Sequence, residues 1–145
     1  MTYDLWALVA TLMLAIVQIG LQSILTLRQA GPAWVAGPRD EPFQVTGISG
    51  RIVRAHRNLL EIFPQFAASL FVVHAADVNG QWAVWGAWLF FVSRCCYVPA
   101  YAFGPPGLRS IFWQGGQIGI IIVLMDILLL FDGFSIIGSF EMLAR

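Results

Sequence analysis

The hydrophobic residues of this chain fall into four long runs, which are separated by short polar or Gly- and Pro-rich segments. The runs cover residues 5–27, 59–76, 82–103 and 111–131. Each is close to the length of about 20 residues that an α-helix needs to cross the hydrocarbon core of a bilayer. The pattern therefore predicts an all-α integral membrane protein, a four-helix bundle that forms a single domain over residues 1–145.

The composition agrees with a membrane protein and excludes a soluble one. Hydrophobic residues make up 59% of the chain and charged residues 11%, and the mean hydropathy is +0.76. Ordinary soluble domains carry about 25% charged residues, which cover the surface that stays in water. The first run begins almost at Met1 and is longer than the core of a signal peptide, so we expect it to be retained as a span.

The arginines predict the topology. Most of them lie in or beside the first and third connections, at what we call the arginine-rich end: Arg28, Arg39, Arg51, Arg54, Arg57 and Arg109. By the positive-inside rule this end is cytoplasmic, and both termini lie on the other side. The connection over residues 28–50 is rich in Gly and Pro, so we expect little regular structure there.

Polar residues form a stripe at the start of the second span. At 100° per residue, five of them fall within about 80° of one another. They are Arg51, Arg54, Asn58, Glu61 and Gln65. Three polar residues of the third span, Arg94, Tyr97 and Tyr101, fall within about 60° by the same arithmetic. Arg109 and Ser110 lead into the fourth span at the same end, and Arg28 ends the first.

A carboxylate at membrane depth costs several kcal/mol unless it is paired or functional. We therefore expect the stripe with Glu61 to face the bundle interior and to form a binding site. Two structural interpretations stay open. Arginines at helix ends often contact lipid headgroups, which would explain Arg28 and Arg51. Arg57 and Glu61 are four residues apart and could pair with each other.

The side chains of the stripe indicate the kind of ligand. Several guanidinium groups beside an asparagine and one carboxylate favour a small molecule that has more than one carboxylate and an ammonium group. Glutathione has this pattern, although electrostatics alone would admit other acidic ligands.

The chain resembles the MAPEG family, the membrane-associated proteins in eicosanoid and glutathione metabolism. The matching positions are Arg51, Arg54, Ala55, Asn58, Glu61, Pro64, Phe66, Arg94, Tyr97, Tyr101 and Arg109. The resemblance implies a four-helix membrane protein that forms a homotrimer. It also implies that glutathione binds between neighbouring subunits, near the cytoplasmic face.

The resemblance implies a role for each matching side chain. Arg54, Asn58 and Glu61 would bind glutathione from one subunit, with Arg54 on a carboxylate and Glu61 on the γ-glutamyl amine. The adjoining subunit would supply Arg94, Tyr97 and Tyr101. Arg28 would lie near the mouth of the site and Arg51 would also bind the ligand. Arg109 would stabilise the thiolate, together with Ser110. One eicosanoid-synthesising branch of the family has a tyrosine at the position of Ile62, so this difference argues against membership of that branch.

Two functional classes remain open. The first is a glutathione transferase acting on a lipophilic electrophile, with or without glutathione-dependent peroxidase activity towards a lipid hydroperoxide. The second is a non-catalytic lipid-binding or scaffold protein. Joint retention of the glutathione-binding positions favours the enzyme. A transporter is disfavoured because polar residues do not run from face to face. Membrane lipids are expected partners and nucleic acid is not. We expect a prokaryotic inner membrane, with the endoplasmic reticulum as the alternative.

Four other polar or small-residue features are given structural interpretations. We expect no metal site, because His56 and His74 lack a second His or Cys at ligand spacing. Cys95 and Cys96 are adjacent on a helix, so their side chains diverge and no mutual disulfide is expected. For Asp126 we favour a hydrogen bond from Gln18 or Gln22 over a proton relay. A small-residue pair predicts close approach of the fourth span to a neighbour, at Gly115 and Gly119.

Overall fold

The computed structural model of the chain describes residues 2–78, 80–105 and 107–143, with side chains to residue 129. It contains four helices, α1 (Tyr3–Ala36), α2 (Gly47–Ala75), α3 (Gln81–Phe103) and α4 (Leu108–Leu143). All four are long and apolar enough to cross a membrane. The predicted all-α membrane bundle is therefore confirmed.

The first connection differs from the sequence-based expectation. Helix α1 continues to Ala36, with a break at Gly31, where φ is +80° and Pro32 follows. Helix α2 begins at Gly47, before the apolar run that starts at Leu59. A glycine accepts this left-handed conformation without strain, and a proline is well suited to the first turn after it. The structureless segment is therefore 37–46, and the expectation of a loop over 28–50 was wrong.

Helices α2, α3 and α4 share a hydrophobic core with a smaller contribution from α1. Its centre is a stacked pair of rings, Phe66 of α2 and Phe90 of α3, whose centroids are 4.0 Å apart. The buried core residues around this pair include Leu59, Leu70, Val73, Ala83, Ala87, Ile120 and Val123. Most of the described surface of α1 is exposed, as expected of a helix that faces lipid.

Helices α3 and α4 form the most extensive helix pair, because glycines let their backbones touch. A Cβ atom on Gly119 would lie 2.7 Å from the carbonyl oxygen of Gly86, closer than real Cβ atoms approach. Gly115 packs in the same way against the hydroxyl of Ser93. The predicted close approach through Gly115 and Gly119 is confirmed, and the neighbour is α3.

Charged groups also join the helices at the end away from the arginines, which we call the opposite end. The Asp4 carboxylate lies 2.7 Å from Nε2 of His74. Oδ2 of Asp126 accepts a hydrogen bond of 2.7 Å from the backbone N–H of Ala83, in the first turn of α3. Gly80 leaves the space that the Asp126 carboxylate occupies. The expected hydrogen bond from Gln18 or Gln22 was therefore wrong, because the free N–H groups of a helix N-terminus are the partner.

Candidate functional site

Most of the predicted site residues of α2, α3 and α4 meet where α2 begins, α3 ends and α4 begins. The short connection over residues 104–107 keeps the last two helices together at this end. One cross-link fixes α2 against α3, because Nη1 of Arg51 donates to the carbonyl oxygen of Ala102 at 3.1 Å. Carbonyls in the last turn of a helix lack intrahelical partners, so a guanidinium suits this position.

Two adjoining cavities open at this end. The first has a volume of about 340 Å³ and is lined by Arg51, Arg54, Ala100, Tyr101, Gly104, Pro105, Gly107, Arg109 and Ser110. The second has about 300 Å³ and is lined by Asn58, Tyr97, Tyr101, Arg109, Ser110 and Trp113. They share Tyr101, Arg109 and Ser110, so we treat them as two lobes of one groove. Volumes of this size suit a small-molecule ligand.

The Tyr101 ring lies between the two lobes and is close to two arginines. The guanidinium carbon of Arg109 is 4.9 Å from the centre of this ring, and that of Arg54 is 6.0 Å away. A guanidinium over an aromatic face is held by the ring quadrupole while its N–H groups stay available. The ring therefore positions both cations without neutralising them.

The groove is positively charged. Three arginines line it, and neither lobe has an acidic residue in its described lining. Arg54 and Arg109 are exposed, and within the described part of the chain the one ion pair is Asp4–His74 at the opposite end. An anionic ligand with hydrogen-bond acceptors fits this arrangement, because guanidinium groups bind carboxylates with paired N–H donors.

Arg94 lies behind the groove rather than in its lining. Its side chain is 1% exposed, and Nη1 donates to Oδ1 of Asn58 at 3.1 Å. Nη2 donates to the carbonyl oxygens of Phe112 at 3.2 Å and Trp113 at 3.0 Å. A side chain at Gly116 would overlap the guanidinium, so this glycine lets Arg94 pass beneath α4. The expectation that Arg94 lines the site beside Tyr97 therefore does not match this geometry.

The α2 stripe faces outward, and the expectation that it faces the bundle interior was wrong. Arg51, Arg54, Glu61 and Gln65 are exposed, and Asn58 is half-buried. The reason is that the other side of α2 carries the apolar residues that fill the core, among them Leu59, Ile62 and Phe66.

Besides Arg94, two more predicted residues lie outside the lining of the groove. Glu61 lines neither lobe. It makes no ion pair with Arg57 among the described residues. Arg28 is exposed on α1 and also lines neither lobe.

The remaining residues come together within one chain. Asn58 of α2, Tyr97 and Tyr101 of α3, and Arg109 and Ser110 of α4 all line the second lobe. The resemblance implied that the α3 residues come from an adjoining subunit. That arrangement between subunits stays a prediction, although α2 and α3 of one chain also pack side by side.

Sequence reasoning missed Trp113, which is 39% exposed and lines the second lobe. A signal was present, because Trp113 follows Arg109 by four residues and therefore lies one helical turn further along the same face. It also missed the pairing of Asp4 with His74, which lie at matching depths but on separate helices.

No cluster of three His, Cys, Asp or Glu residues in the described part of the chain could hold a metal ion.

Comparison with known proteins places this geometry in a family. The model of the MAPEG family matches residues 5–129. The chain belongs to the MAPEG family. The matched segment contains every residue that lines the groove, as well as Glu61 and Arg94. No curated protein matches the chain. Membership makes this a membrane protein of the family of glutathione and eicosanoid metabolism.

Proposed function

We propose that this MAPEG protein is a membrane-bound glutathione transferase that binds glutathione in the groove. The observation that carries the proposal is the placement of Arg54 and Arg109 beside Tyr101, in a groove whose described lining has no acidic residue. Such a site favours a polyanionic ligand, and the MAPEG family includes glutathione transferases and related enzymes.

Side chains in or beside the groove would bind the charged groups and a peptide group of glutathione. Arg51 and Arg54 line the first lobe, where they would bind one carboxylate through charge-assisted hydrogen bonds. Asn58 lies in the second lobe, where its amide would bond to a peptide carbonyl. Glu61 follows Asn58 by one helical turn, so its carboxylate would bind the γ-glutamyl amine at the end of the groove.

Arg109 is the residue that would activate the thiol. A free thiol has a pKa of about 8.5, so only a few per cent is thiolate at pH 7. A nearby cation lowers a thiol pKa by about 1 to 3 units, which makes thiolate the main species. Arg109 has no anionic partner among the described residues, and Ser110 beside it offers a hydroxyl donor.

Bound glutathione would supply a thiolate whose sulfur bonds to an electrophilic carbon as the leaving group departs with its electron pair. With a lipid hydroperoxide the same sulfur would take the terminal oxygen, leaving an alcohol, and a second glutathione would then yield the disulfide and water. The chain's own part is to bind, orient and ionise the thiol. Lipophilic substrates concentrate in the bilayer, which brings them close to the groove.

The outward stripe supports assembly with further copies of the chain. Glu61 is exposed on α2 at membrane depth, where contact between a carboxylate and lipid is costly. A second copy packed against this face would cover Glu61, and the family resemblance supports a homotrimer as the proposed assembly. We expect the arginine-rich end to face the cytoplasm of a prokaryotic inner membrane, or of an endoplasmic reticulum membrane.

Ultraviolet difference absorbance of the thiolate tests this function. Adding glutathione to the purified wild-type protein at pH 7 should produce the thiolate band, because Arg109 stabilises the ionised sulfur. Arg109→Ala should abolish this band. Arg39→Ala is the matched control, because Arg39 is an exposed arginine of the same end that donates to Val35 at the end of α1. It should keep the wild-type band.

Two results would contradict the proposal. An undiminished band in Arg109→Ala would remove Arg109 from the chemistry. Absence of both the band and glutathione binding in the wild type would favour the non-catalytic lipid-binding alternative.

A further inference from the structure

Arg94 is a buried cation whose partners are all uncharged. Its three hydrogen-bond acceptors are the Asn58 side chain and the carbonyls of Phe112 and Trp113. The rings of Phe90 and Tyr97 lie 5.5 and 5.1 Å from its guanidinium carbon. Among the described residues no carboxylate lies within ion-pair distance of it. Burying an arginine in this way is costly, so its geometry is expected to serve the structure or the site.

The contact with Arg94 fixes the orientation of the Asn58 amide. A guanidinium has only donors, so the amide atom that faces it must be the oxygen. The amide NH₂ group of Asn58 is therefore turned away from Arg94. Because Asn58 is half-buried and lines the second lobe, this NH₂ group is available to a ligand in the groove.

The other contacts of Arg94 hold α4 in register. Its Nη2 atom binds the carbonyls of Phe112 and Trp113, one turn after Arg109 and Ser110. These two carbonyls belong to the backbone of α4, so the contact fixes the position of the first turn of α4 relative to α3. One side chain of α3 thus connects the ligand-binding position of α2 to the start of α4.

We infer that Arg94 is a positioning residue that holds Asn58 as a hydrogen-bond donor toward an acceptor of the ligand, and that Arg94 itself does not touch the ligand. The inference rests on the proposed function, in which the acceptor is a peptide carbonyl or carboxylate of glutathione. An asparagine that is free to rotate could present either its oxygen or its NH₂ group. The pairing with Arg94 removes this ambiguity.

Asn58→Asp is the sharpest test, because it separates stability from binding. The aspartate gives Arg94 a charged partner, so the midpoint of thermal unfolding should rise by about 2 °C or more. The same change replaces the NH₂ donor with a carboxylate oxygen. Glutathione should then bind about tenfold more weakly or worse, measured by calorimetry on the purified protein in detergent. Asn58→Asp with wild-type affinity would overturn the inference.

A double-mutant cycle tests whether Arg94 acts through Asn58. Arg94→Lys keeps the charge but loses the planar fork, so it should weaken glutathione binding about tenfold in the wild-type background. In the Asn58→Ala background the same change should alter the dissociation constant less than about twofold. An equal loss in both backgrounds would show that Arg94 acts independently of Asn58, which would contradict the positioning role.

Asp126→Asn is the control for loss of packing, because it weakens the contact between α3 and α4 at the opposite end. It should lower the unfolding midpoint and leave the dissociation constant of glutathione unchanged. If the wild type binds no glutathione, the proposed function fails, and so does the inference that Asn58 donates to the ligand. The unfolding midpoint of Asn58→Asp still decides the pairing in that case, since a midpoint that does not rise contradicts the Arg94–Asn58 geometry.

Discussion

The two ends of the bundle differ in whether their charged groups have a partner within the chain. At the opposite end Asp4 is paired with His74, and Asp126 is bonded to the first turn of α3. At the arginine-rich end, Arg54 and Arg109 are exposed and have no anionic partner among the described residues. Charged groups that have a partner hold helices together, whereas arginines without an anionic partner can bind an anionic ligand. Substitutions at the two ends should therefore change different measured properties.

The largest effect is expected at Arg109. Arg109→Ala should lower the turnover number with a lipophilic electrophile by about 100-fold or more, because a charge that stabilises the reacting sulfur is lost. The KM for glutathione should change much less, since other side chains bind its carboxylates. Steady-state kinetics provides both numbers. A rise in KM with an unchanged turnover number would make Arg109 a binding residue only.

Asp126 should show the reverse behaviour. Asp126→Ala leaves the N–H of Ala83 without its partner, which should cost about 1 to 3 kcal/mol of unfolding free energy. Glutathione affinity should stay at the wild-type value, because the groove lies at the other end. Thermal unfolding and calorimetry measure the two quantities. If Asp126→Ala lowered the glutathione affinity as much as it lowered the unfolding free energy, the two ends would not have separate roles.

Glu61 tests how far the ligand site extends beyond the groove lining. Glu61→Ala should weaken glutathione binding by about tenfold, because a charged hydrogen bond to the γ-glutamyl amine is lost. The oligomeric state, measured by native mass spectrometry, should be retained. Gln65→Ala is the matched control, since Gln65 is exposed on the same α2 stripe. Equal loss of assembly and binding would make Glu61 a structural residue.

The smallest effect is expected from salt. Raising the ionic strength shortens the Debye length from about 10 Å at 0.1 M to about 3 Å at 1 M. Glutathione should bind a few-fold more weakly as a result, because arginines on the surface of the groove attract its carboxylates. The unfolding midpoint should change little, since the paired groups of the opposite end are more buried. A salt-independent affinity would argue against an electrostatic site.

Hydropathy predicted the number and kind of helices, but the apolar run of the second span begins later than α2 does. The first turns of α2 carry Gly47, Gly50 and Arg51, whose composition resembles a loop. The helix forms there nevertheless, and Arg51 ties it to the end of α3. Hydropathy reports where lipid is in contact with the chain and not where a helix begins.

Helical phasing predicted which polar residues share a side, but not what that side faces. It grouped Arg54, Asn58 and Glu61 correctly, yet their stripe lies on the outside of the bundle. It also grouped Arg94 with Tyr97, whereas Arg94 passes beneath α4 at Gly116. Burial of that arginine depends on a glycine of another helix, and phasing within one helix carries no such information.

The most direct test is a structure of the protein with bound glutathione. Density is expected in the groove, with the sulfur beside the Arg109 guanidinium and one carboxylate at Arg51 and Arg54. An acceptor of the ligand should lie within hydrogen-bonding distance of the Asn58 amide. An empty groove at saturating glutathione, or density away from Arg109, would contradict the proposed site.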